Sequence, residues 1–329
     1  MNDTTADWKP SVTREMLVRR QQFLSGVRQF FHDRGVLEVD TPVLSEVTAT
    51  DPYLDSYEIQ GLPDCRPLYL LTSPEHAMKR LLAAGSGPIF QVSKAFRRDE
   101  RGSRHNPEFS MLEWYRPGFS LQDLLSEVTE LLRFLGYQGQ VESISYRDAF
   151  VRSININPFI DESAVDCRQK EQALLSQASE CSSIPVSELD LETALDLLMT
   201  HKVEPWLKTF GAIYVHDYPA SQAALARIET DEYGNRVARR FELYIDGIEI
   251  ANAYDEQVDP KEQRKRFEDD NARRRKIGKK EIPVDERLLA ALPQMPTSAG
   301  IALGLDRLLM VLSNQKTLQD VIAFPAGRV

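Results

Sequence analysis

The sequence contains little cysteine and no long apolar run. Its 329 residues include three cysteines, Cys65, Cys167 and Cys181, which are odd in number and show no CxxC spacing. This pattern argues against a disulfide framework and a zinc site and is typical of a reducing cytoplasm. No apolar stretch approaches the roughly 20 residues of a membrane helix, and the first residues lack the basic and apolar regions of a signal peptide. We therefore expect a cytoplasmic protein with no membrane partner.

The sequence also lacks an excess of positive charge. A formal net charge of −10 argues against broad, sequence-independent binding to nucleic acid. Hydrophobic residues make up 42% and charged residues 27% of the chain, which is typical of a globular protein. The length allows one large domain or two ordinary ones.

Apolar periodicity and punctuating residues indicate helices mixed with short strands. Residues 14–34 carry Leu17, Leu24, Val27 and Phe31 near a helical period, and Gly35 follows as a stop. Residues 68–72 (LYLLT) predict a buried strand, and SPEHAMKRLLAAG behind them predicts a helix with Ser73 as N-cap. A further helix is predicted over LQDLLSEVTELLRFLG, and residues 140–210 read as a helical insertion with no evident chemistry.

Two hairpins are predicted where chemistry could be concentrated. The stretch FRRDERGSRHNPEFSMLEWY, residues 96–115, predicts two strands and a charged loop that would bring Arg97, Asp99, Glu113 and Tyr115 near one another. In RRFELYIDGIEIANAY the dipeptide Asp-Gly at 246–247 predicts a tight turn. Helices combined with such hairpins indicate an α+β protein built on an antiparallel sheet.

The second hairpin would pair Tyr244 with Glu249 and place Glu242 on the same face, roughly 7–8 Å from Glu249. Two carboxylates at this distance repel each other unless a cation lies between them. A magnesium ion bridging polyphosphate oxygens would satisfy both, and two solvated glutamates on an exposed face are the alternative.

The C-terminal GIALGLDR adds Gly300 and Gly304 ahead of Arg307, whose guanidinium suits a planar ring or a phosphate. Alone this pattern is weak, since a glycine pair is more often a packing device. Together with the two hairpins it indicates an ATP site, and the remaining acids Glu75, Glu113 and Glu256 suggest a second, cationic substrate.

These segments resemble the lysyl branch of the class II aminoacyl-tRNA synthetases. FRRDERGSRHNPEFSMLEWY is similar to motif 2, RGVLEVDTPVLS to motif 1 ending at Pro42, and GIALGLDR to motif 3. TSPEHAMKRLL and FELYIDGIEIANAYDEQ also match lysyl-synthetase segments, so that the resemblance runs from about Met16 to Phe324. It implies an N-terminal tail over residues 1–15 and one catalytic domain over 16–329, with the helical insertion at about 140–210 inside it.

The resemblance implies ATP and Mg²⁺ as cofactors and assigns the site residue by residue. The implied ATP contacts are Arg97, Arg98, Asp99, His105, Asn106, Phe109, Glu242, Leu243, Gly304 and Arg307. The implied substrate contacts are Ser73, Pro74, Glu75, Glu113, Tyr115, Glu249, Asn252, Glu256 and Ala302. Arg97 would hold the α-phosphate and the substrate carboxylate, and Arg97 and Arg307 would be the catalytic residues. Phe109 and Arg307 would enclose adenine, while Glu242 and Glu249 would hold the metal.

Two differences from the lysyl-tRNA synthetases restrict the resemblance to one group within the lysyl branch. About 15 residues precede motif 1, too few for the anticodon-binding domain, and Ala302 stands where these enzymes have glycine. Both features are typical of short paralogues, the elongation factor P–lysine ligases. Membership there implies transfer of ATP-activated (R)-β-lysine to the ε-amino group of a lysine on elongation factor P, with a homodimer through motif 1 and no tRNA.

Other functions remain open from the sequence. A minimal lysyl-tRNA synthetase-like enzyme would use α-lysine, and a stand-alone amino-acid ligase would pass its product to ammonia or a small amine. A catalytically silent regulatory paralogue is a further alternative. Such proteins typically lose the motif 2 or motif 3 arginine, whereas Arg97 and Arg307 are present.

Overall fold

The structure is a computed structural model that describes residues 8–60, 67–160 and 166–329. The chain forms two compact units. The first unit contains Met1–Tyr137 with Glu256–Val329, and the second unit contains Gln138–Asp255. Cys65 and residues 1–7 of the predicted tail lie outside the described residues, and Cys167 and Cys181 are free thiols.

The first unit combines helices with an antiparallel sheet. Its helices are α1 (Arg14–His32), α2 (Glu75–Ala83), α3 (Leu121–Phe134), α8 (Pro260–Lys276), α9 (Glu286–Ala291) and α10 (Leu305–Leu312). Its strands are β1 (Leu37–Glu38), β2 (Leu44–Ser45), β3 (Glu58–Ile59), β4 (Leu68–Leu70), β5 (Ile89–Phe96), β6 (Glu108–Pro117) and β12 (Ser298–Gly304). Strands β1, β5, β6 and β12 are neighbours in this order, with β1 parallel to β5 and the others antiparallel. A small sheet has the order β2-β4-β3.

The second unit places helices beside another mostly antiparallel sheet. Its helices are α4 (Tyr146–Ile154), α5 (Cys167–Ser182), α6 (Leu191–Leu198) and α7 (Glu204–Leu207). Its strands are β7 (Val141–Ser145), β8 (Ala212–Pro219), β9 (Ile228–Thr230), β10 (Arg236–Ile245) and β11 (Ile248–Asp255). Strands β11, β10, β8 and β7 are neighbours in this order, β9 also pairs with β10, and only β7 and β8 are parallel among these described pairs.

The predicted α+β class is therefore confirmed, with differences in detail. In α1 the core face is formed by Phe23, Val27, Phe30 and Phe31, while Leu17, one of the apolar residues near the helical period, is 42% exposed. The insertion at 140–210 is not wholly helical, since it begins with β7. None of the helices in the described residues is long and apolar enough to cross a membrane.

Local signals explain where the site-bearing elements begin and turn. Helix α3 begins at a reciprocal cap, in which the Ser120 hydroxyl accepts from the Asp123 N–H and the Asp123 carboxylate accepts from the Ser120 N–H. Between β10 and β11, Asp246 and Gly247 have φ of 52° and 68°, as the predicted two-residue turn requires. The predicted pairing of Tyr244 with Glu249 is confirmed.

Candidate active site

The sheet of the first unit presents an acidic face. Glu113 on β6 lies opposite Gln91 on β5 and Ala302 on β12, and Tyr115 lies opposite Gly300. Residues two apart on a strand share a face, so that Glu113 and Tyr115 point to the same side. Together with groups from α2 and from the start of the segment after β11 they form a cluster that we call the acidic pocket. It consists of Ser73, Glu75, Lys79, Glu113, Tyr115 and Glu256.

Hydrogen bonds hold the Glu113 carboxylate at the centre of the pocket. The Ser73 hydroxyl donates to Glu113 Oε1 at 2.5 Å, and the Tyr115 hydroxyl donates to Oε2 at 3.2 Å. The Ser73 hydroxyl also accepts from the Glu75 N–H at 3.0 Å. The N-cap position of α2 is Pro74, so that the prediction of Ser73 as N-cap is wrong by one residue; from the position before it, the Ser73 hydroxyl accepts from the first helical N–H and orients a buried acid at the same time. Pro74 immediately precedes the helix and makes no side-chain cap bond.

Lys79, which the sequence analysis did not identify, joins the two other acids. Its Nζ lies 2.6 Å from Glu75 Oε1 and 2.5 Å from Glu256 Oε2, and its side chain is 1% exposed. Burial alone lowers the pKa of a lysine, but the two carboxylates outweigh it and raise the pKa of Lys79 above its ordinary value. The spacing of four residues between Glu75 and Lys79 on an amphipathic helix was the available signal.

The pKa values of Glu113 and Tyr115, the two remaining titratable groups of the pocket, are both raised. Burial, followed by the charge of Glu75, raises the pKa of Glu113 to about 8, against the hydrogen bonds of Ser73 and Tyr115. Burial, followed by the charge of Glu113, raises the pKa of Tyr115 well above its ordinary value. At neutral pH Glu113 is therefore mainly protonated and ionises at slightly higher pH, and the Tyr115 phenol is neutral.

Gly300 is a steric requirement of this arrangement. A Cβ at this position would lie 2.3 Å from Glu256 Oε1 and 2.4 Å from the Tyr115 ring. The first motif 3 glycine therefore permits the close packing of Glu256 and Tyr115. Ala302, the next residue on the same face of β12, is half-buried beside Glu113.

The predicted phosphate-binding loop, residues 97–107, joins β5 to β6 at the far end from Glu113. Glu113 pairs with Gln91, six residues before Arg97, which corresponds to about 20 Å along the strand. The prediction that the hairpin alone brings Arg97 and Asp99 near Glu113 and Tyr115 is therefore wrong. The hairpin instead separates a guanidinium end from an acidic end.

Four predicted residues gather around this loop. The Arg97 guanidinium lies 5.1 Å from the centre of the Phe109 ring and 3.3 Å from the Glu100 carboxylate. Arg307 lies at the start of α10, where its Nη2 is 2.8 Å from His105 Nε2 and its Nε donates to the Arg104 carbonyl at 3.3 Å. The predicted loop partners thus include an arginine over an aromatic ring and a second arginine against the loop.

The other loop residues have structural contacts. Arg98 and Asp99 form an exposed ion pair at 3.0 Å, and Asp99 has a φ of 63°. Asn106 is buried, donates to the Glu108 carbonyl at 2.6 Å, and accepts from the Ala326 N–H at 2.8 Å. Gly304 ends β12 and precedes α10, in line with its predicted position beside Arg307.

Glu242 in the second unit is buried among hydrogen-bond donors. The Tyr218 and Tyr244 hydroxyls donate to Oε2 at 2.6 and 2.5 Å, while Asn252 donates to Oε1 at 3.3 Å and Arg240 forms an ion pair with the same oxygen. Glu242 and Asn252 are predicted site residues, whereas Arg240, two residues before Glu242 on the same face of β10, is not among the predicted residues. Leu243, a predicted ATP contact, is fully buried, and its strand is paired with β11 on one side and β8 on the other.

A β-bulge changes the predicted geometry of the two glutamates. The register shifts between Leu243 and Tyr244, so that Glu242 lies opposite Asn252, while Tyr244 remains opposite Glu249. The shift keeps Glu242 and Glu249 on one face. No group of three or more His, Cys, Asp or Glu side chains that could hold a metal occurs within residues 8–60, 67–160 and 166–329. Two carboxylates still fit Mg²⁺ in kind, because this ion takes most of its oxygens from phosphates and water.

We predict that Glu113 gives the protein a measurable pH dependence. A carboxyl whose pKa rises on folding, here from 4.5 to about 8, stabilises the protein below pH 4.5 and loses this contribution as the pH rises through 8. Glu113→Gln should therefore gain stability relative to the unmodified protein between pH 5 and 9, by more than about 1 kcal/mol. Denaturant unfolding at several pH values measures the difference.

The matched control is Glu108→Gln, an exposed glutamate on the same strand. Glu127, whose pKa burial also raises, is present in all three proteins and cancels in the comparison. Parallel stability curves for the unmodified protein and Glu113→Gln would contradict the assignment of a raised pKa to Glu113.

Comparisons with known proteins agree with this geometry. A family model described as tRNA synthetases class II (D, K and N) matches residues 1–328. Proteins named elongation factor P–(R)-β-lysine ligase from Yersinia pestis (strain Pestoides F) and Yersinia pseudotuberculosis serotype O:1b (strain IP 31758) are each 46% identical over 332 residues, which cover 99% of this chain and 99% of theirs. The chain belongs to the class II tRNA synthetases of the D, K and N type.

Proposed function

We propose that this protein is a ligase that activates (R)-β-lysine with ATP and transfers it to the ε-amino group of a lysine on elongation factor P. The observation that carries the proposal is the acidic pocket, in which buried Glu113 lies with Glu75 and Glu256 in a chain 46% identical to ligases of that name. Buried carboxylates recognise ammonium groups, because an uncompensated charge there is costly and a paired one is not.

The proposed reaction has two steps and needs no nucleophilic side chain. In the first, a carboxylate oxygen of the amino acid attacks the α-phosphorus of ATP, and the bond to the β-phosphate oxygen breaks to release pyrophosphate. In the second, the acceptor nitrogen attacks the acyl carbon of the adenylate, an amide bond forms, and AMP leaves as the nitrogen loses a proton. Positioning and charge neutralisation supply most of the acceleration.

Arg97 and Arg307 are the proposed catalytic residues. The Arg97 guanidinium would exchange its contact with Glu100, now 3.3 Å, for the α-phosphate and the substrate carboxylate. Phe109 and Arg307 would hold adenine between them, with Arg98, Asp99, His105 and Asn106 in the loop over the nucleotide. A fixed guanidinium is effective here because it meets the negative charge that develops on the phosphate oxygens.

Glu242 and Glu249 are the proposed residues for a divalent cation, which we take to be Mg²⁺. The ion would supply positive charge to the ATP phosphates. Glu242 already accepts four hydrogen bonds, from Tyr218, Tyr244, Asn252 and Arg240, the number that the two oxygens of a carboxylate can accept. Ligation would therefore require Arg240 or Asn252 to release Oε1; Glu249, the second proposed ligand, is half-buried on the same face.

The decisive experiment offers two acceptors in parallel. The protein is incubated with ATP, Mg²⁺ and labelled (R)-β-lysine or α-lysine, together with elongation factor P or lysine tRNA. We expect label on elongation factor P, stronger with (R)-β-lysine, and none on tRNA. Label on tRNA alone would make the protein a minimal synthetase. Absence of both transfer and pyrophosphate exchange would favour the silent paralogue.

Two loop variants make the test specific. Arg97→Ala should lower the rate of pyrophosphate exchange by about a hundredfold or more, because it removes a charge that stabilises the transition state. Arg101→Ala changes an exposed arginine of the same loop and should retain activity. Equal losses in both variants would indicate a general disturbance of the loop.

Ala302 is the proposed discriminator between α- and β-amino acids. Its methyl group lies on the face of β12 beside Glu113 and reduces the space in which the substrate amino group can lie. Ala302→Gly should raise kcat/KM for α-lysine relative to (R)-β-lysine by about fivefold to a hundredfold, since a methyl-sized difference is worth about 1–3 kcal/mol. Ala299→Gly, on the opposite face of the strand, is the control. An unchanged ratio in Ala302→Gly would remove this role.

We also propose a homodimer through the motif 1 segment. Apolar side chains between α1 and β2 are exposed in the single chain: Leu17 42%, Val18 37%, Leu37 56%, Val43 37% and Leu44 40%. Large exposed apolar patches are typical of subunit interfaces, and we propose that these side chains contribute to one. Light scattering should give twice the 37.5 kDa chain mass, and Leu37→Asp should halve it, whereas Ile277→Asp at another exposed site should not. A monomer in the unmodified protein contradicts the proposal.

Because the proposed acceptor is a translation factor, the proposed location is the cytoplasm, which fractionation of cells tests directly.

A further inference from the structure

The acidic pocket contains a positive charge of its own. Three carboxylates, Glu75, Glu113 and Glu256, share the pocket with the Lys79 ammonium. A substrate with two ammonium groups and one carboxylate carries one net positive charge. The pocket carries two negative charges when Glu113 is ionised and one when it is protonated. Loss of the lysine charge would add one negative charge in either state.

Lys79 also fixes the positions of two acids that come from distant parts of the chain. Glu75 lies on its own helix, one turn earlier, whereas Glu256 follows β11 and is tied to β12 by its N–H bond to the Ser298 carbonyl at 3.0 Å. With contacts of 2.6 and 2.5 Å and a side chain 1% exposed, the ammonium leaves little freedom to either carboxylate. Glu256 is further confined by Gly300 and Tyr115.

We propose that Lys79 is a positioning residue that determines substrate charge selectivity, by holding Glu75 and Glu256 in place and cancelling one of their charges. It adapts the pocket to diamino acids with one net positive charge and disfavours diamines with two. The inference rests on the proposed function, because that function supplies the diamino acid. Lys79 would favour ligands that carry a carboxylate through their net charge, without contacting the carboxylate itself. Arg97 is the residue proposed to contact it directly.

The charge of Lys79 should have a large effect on the relative affinity for the two classes of ligand. A unit charge acts on another about 5 Å away with roughly 3 kcal/mol at an effective dielectric constant near 20, and burial keeps the solvent from screening it. Loss of the Lys79 charge would therefore strengthen the binding of a diamine, which carries two positive charges, more than that of a diamino acid. In the diamino acid the carboxylate offsets one ammonium. A lysine that served only to hold α2 would affect both ligands alike.

The test compares two ligands by titration calorimetry, which needs no turnover. The ligands are L-lysine, as the diamino acid probe, and 1,5-diaminopentane, which has the same amino groups without the carboxylate. The unmodified protein should bind L-lysine more tightly. Lys79→Met, which keeps the length of the side chain without its charge, should shift the ratio of dissociation constants toward the diamine by at least about tenfold.

A charge-balanced variant separates charge from structure. Glu75→Gln combined with Lys79→Met removes one charge of each sign, so that the net charge of the pocket is that of the unmodified protein. This variant should lose affinity for both ligands, because Glu256 is no longer held. The ratio of the two dissociation constants should return toward the value of the unmodified protein. The double variant also keeps the proposal testable if Lys79→Met alone does not fold. In Lys79→Met both Glu75 and Glu256 lose their counter-charge, whereas in the double variant only Glu256 does, which is less destabilising.

The pH dependence provides a second readout. Glu113 is faced by Ser73, Glu75 and Lys79 from α2 and its start, by Tyr115 on its own strand, by Gln91 on β5 and by Ala302 on β12. Since the Lys79 charge lowers the pKa of Glu113, Lys79→Met should move the pH midpoint of L-lysine binding upward. The charge-balanced variant should leave the midpoint nearer its original value, because the loss of Glu75 acts in the opposite direction.

The outcomes are distinct. A parallel loss of both affinities in Lys79→Met, with the ratio and the pH midpoint unchanged, would overturn the proposal and leave Lys79 a purely structural ion pair. A shifted ratio that the charge-balanced variant does not restore would also overturn it. If the unmodified protein binds L-lysine but labels no elongation factor P, the proposed acceptor fails while the inference about Lys79 stands. If it binds neither ligand, the inference about Lys79 fails, and the proposed function fails with it only if (R)-β-lysine does not bind either.

Discussion

The buried contact of the Lys79 ammonium with Glu75 and Glu256 is the interaction on which the acidic pocket depends. Taking three carboxylates out of water is costly unless charge or hydrogen bonds compensate them. Lys79 compensates two of them, and Ser73 with Tyr115 supplies hydrogen bonds to the third. The compensating groups come from the helix α2, from the residue two positions before it and from the strand β6, so that the pocket depends on the packing of these elements against one another.

The hairpin of β5 and β6 then divides the chemistry along its length. Its loop carries Arg97 beside Phe109 and contacts Arg307, while Glu113 lies about 20 Å along the strand and Tyr115 lies farther. An extended pair of strands is a rigid way to hold cationic and acidic groups apart.

Glu242 in the second unit illustrates the same balance between a buried acid and its partners. Arg240 supplies the counter-charge, and two tyrosines and Asn252 satisfy the remaining lone pairs. The burial of Tyr218 and Tyr244 raises the pKa of both phenols well above the ordinary value, so that they remain donors. The residue that the family resemblance assigns to the metal is thus also a structural centre of its unit.

The amino-acid sequence by itself determined the α+β class, the tight turn at Asp246-Gly247 and the family, because these depend on local periodicity, turn chemistry and ordered motifs. It also identified Glu75, Glu113, Tyr115 and Glu256 through the resemblance, and their roles in substrate binding stay predictions. Only the tertiary structure decided that Lys79 joins two of these acids, that a bulge resets the register around Glu242, and that the first hairpin separates Arg97 from Glu113. Contacts between residues 79 and 256, and the offset of one residue in a strand pair, arise from packing across the chain. No local pattern encodes them.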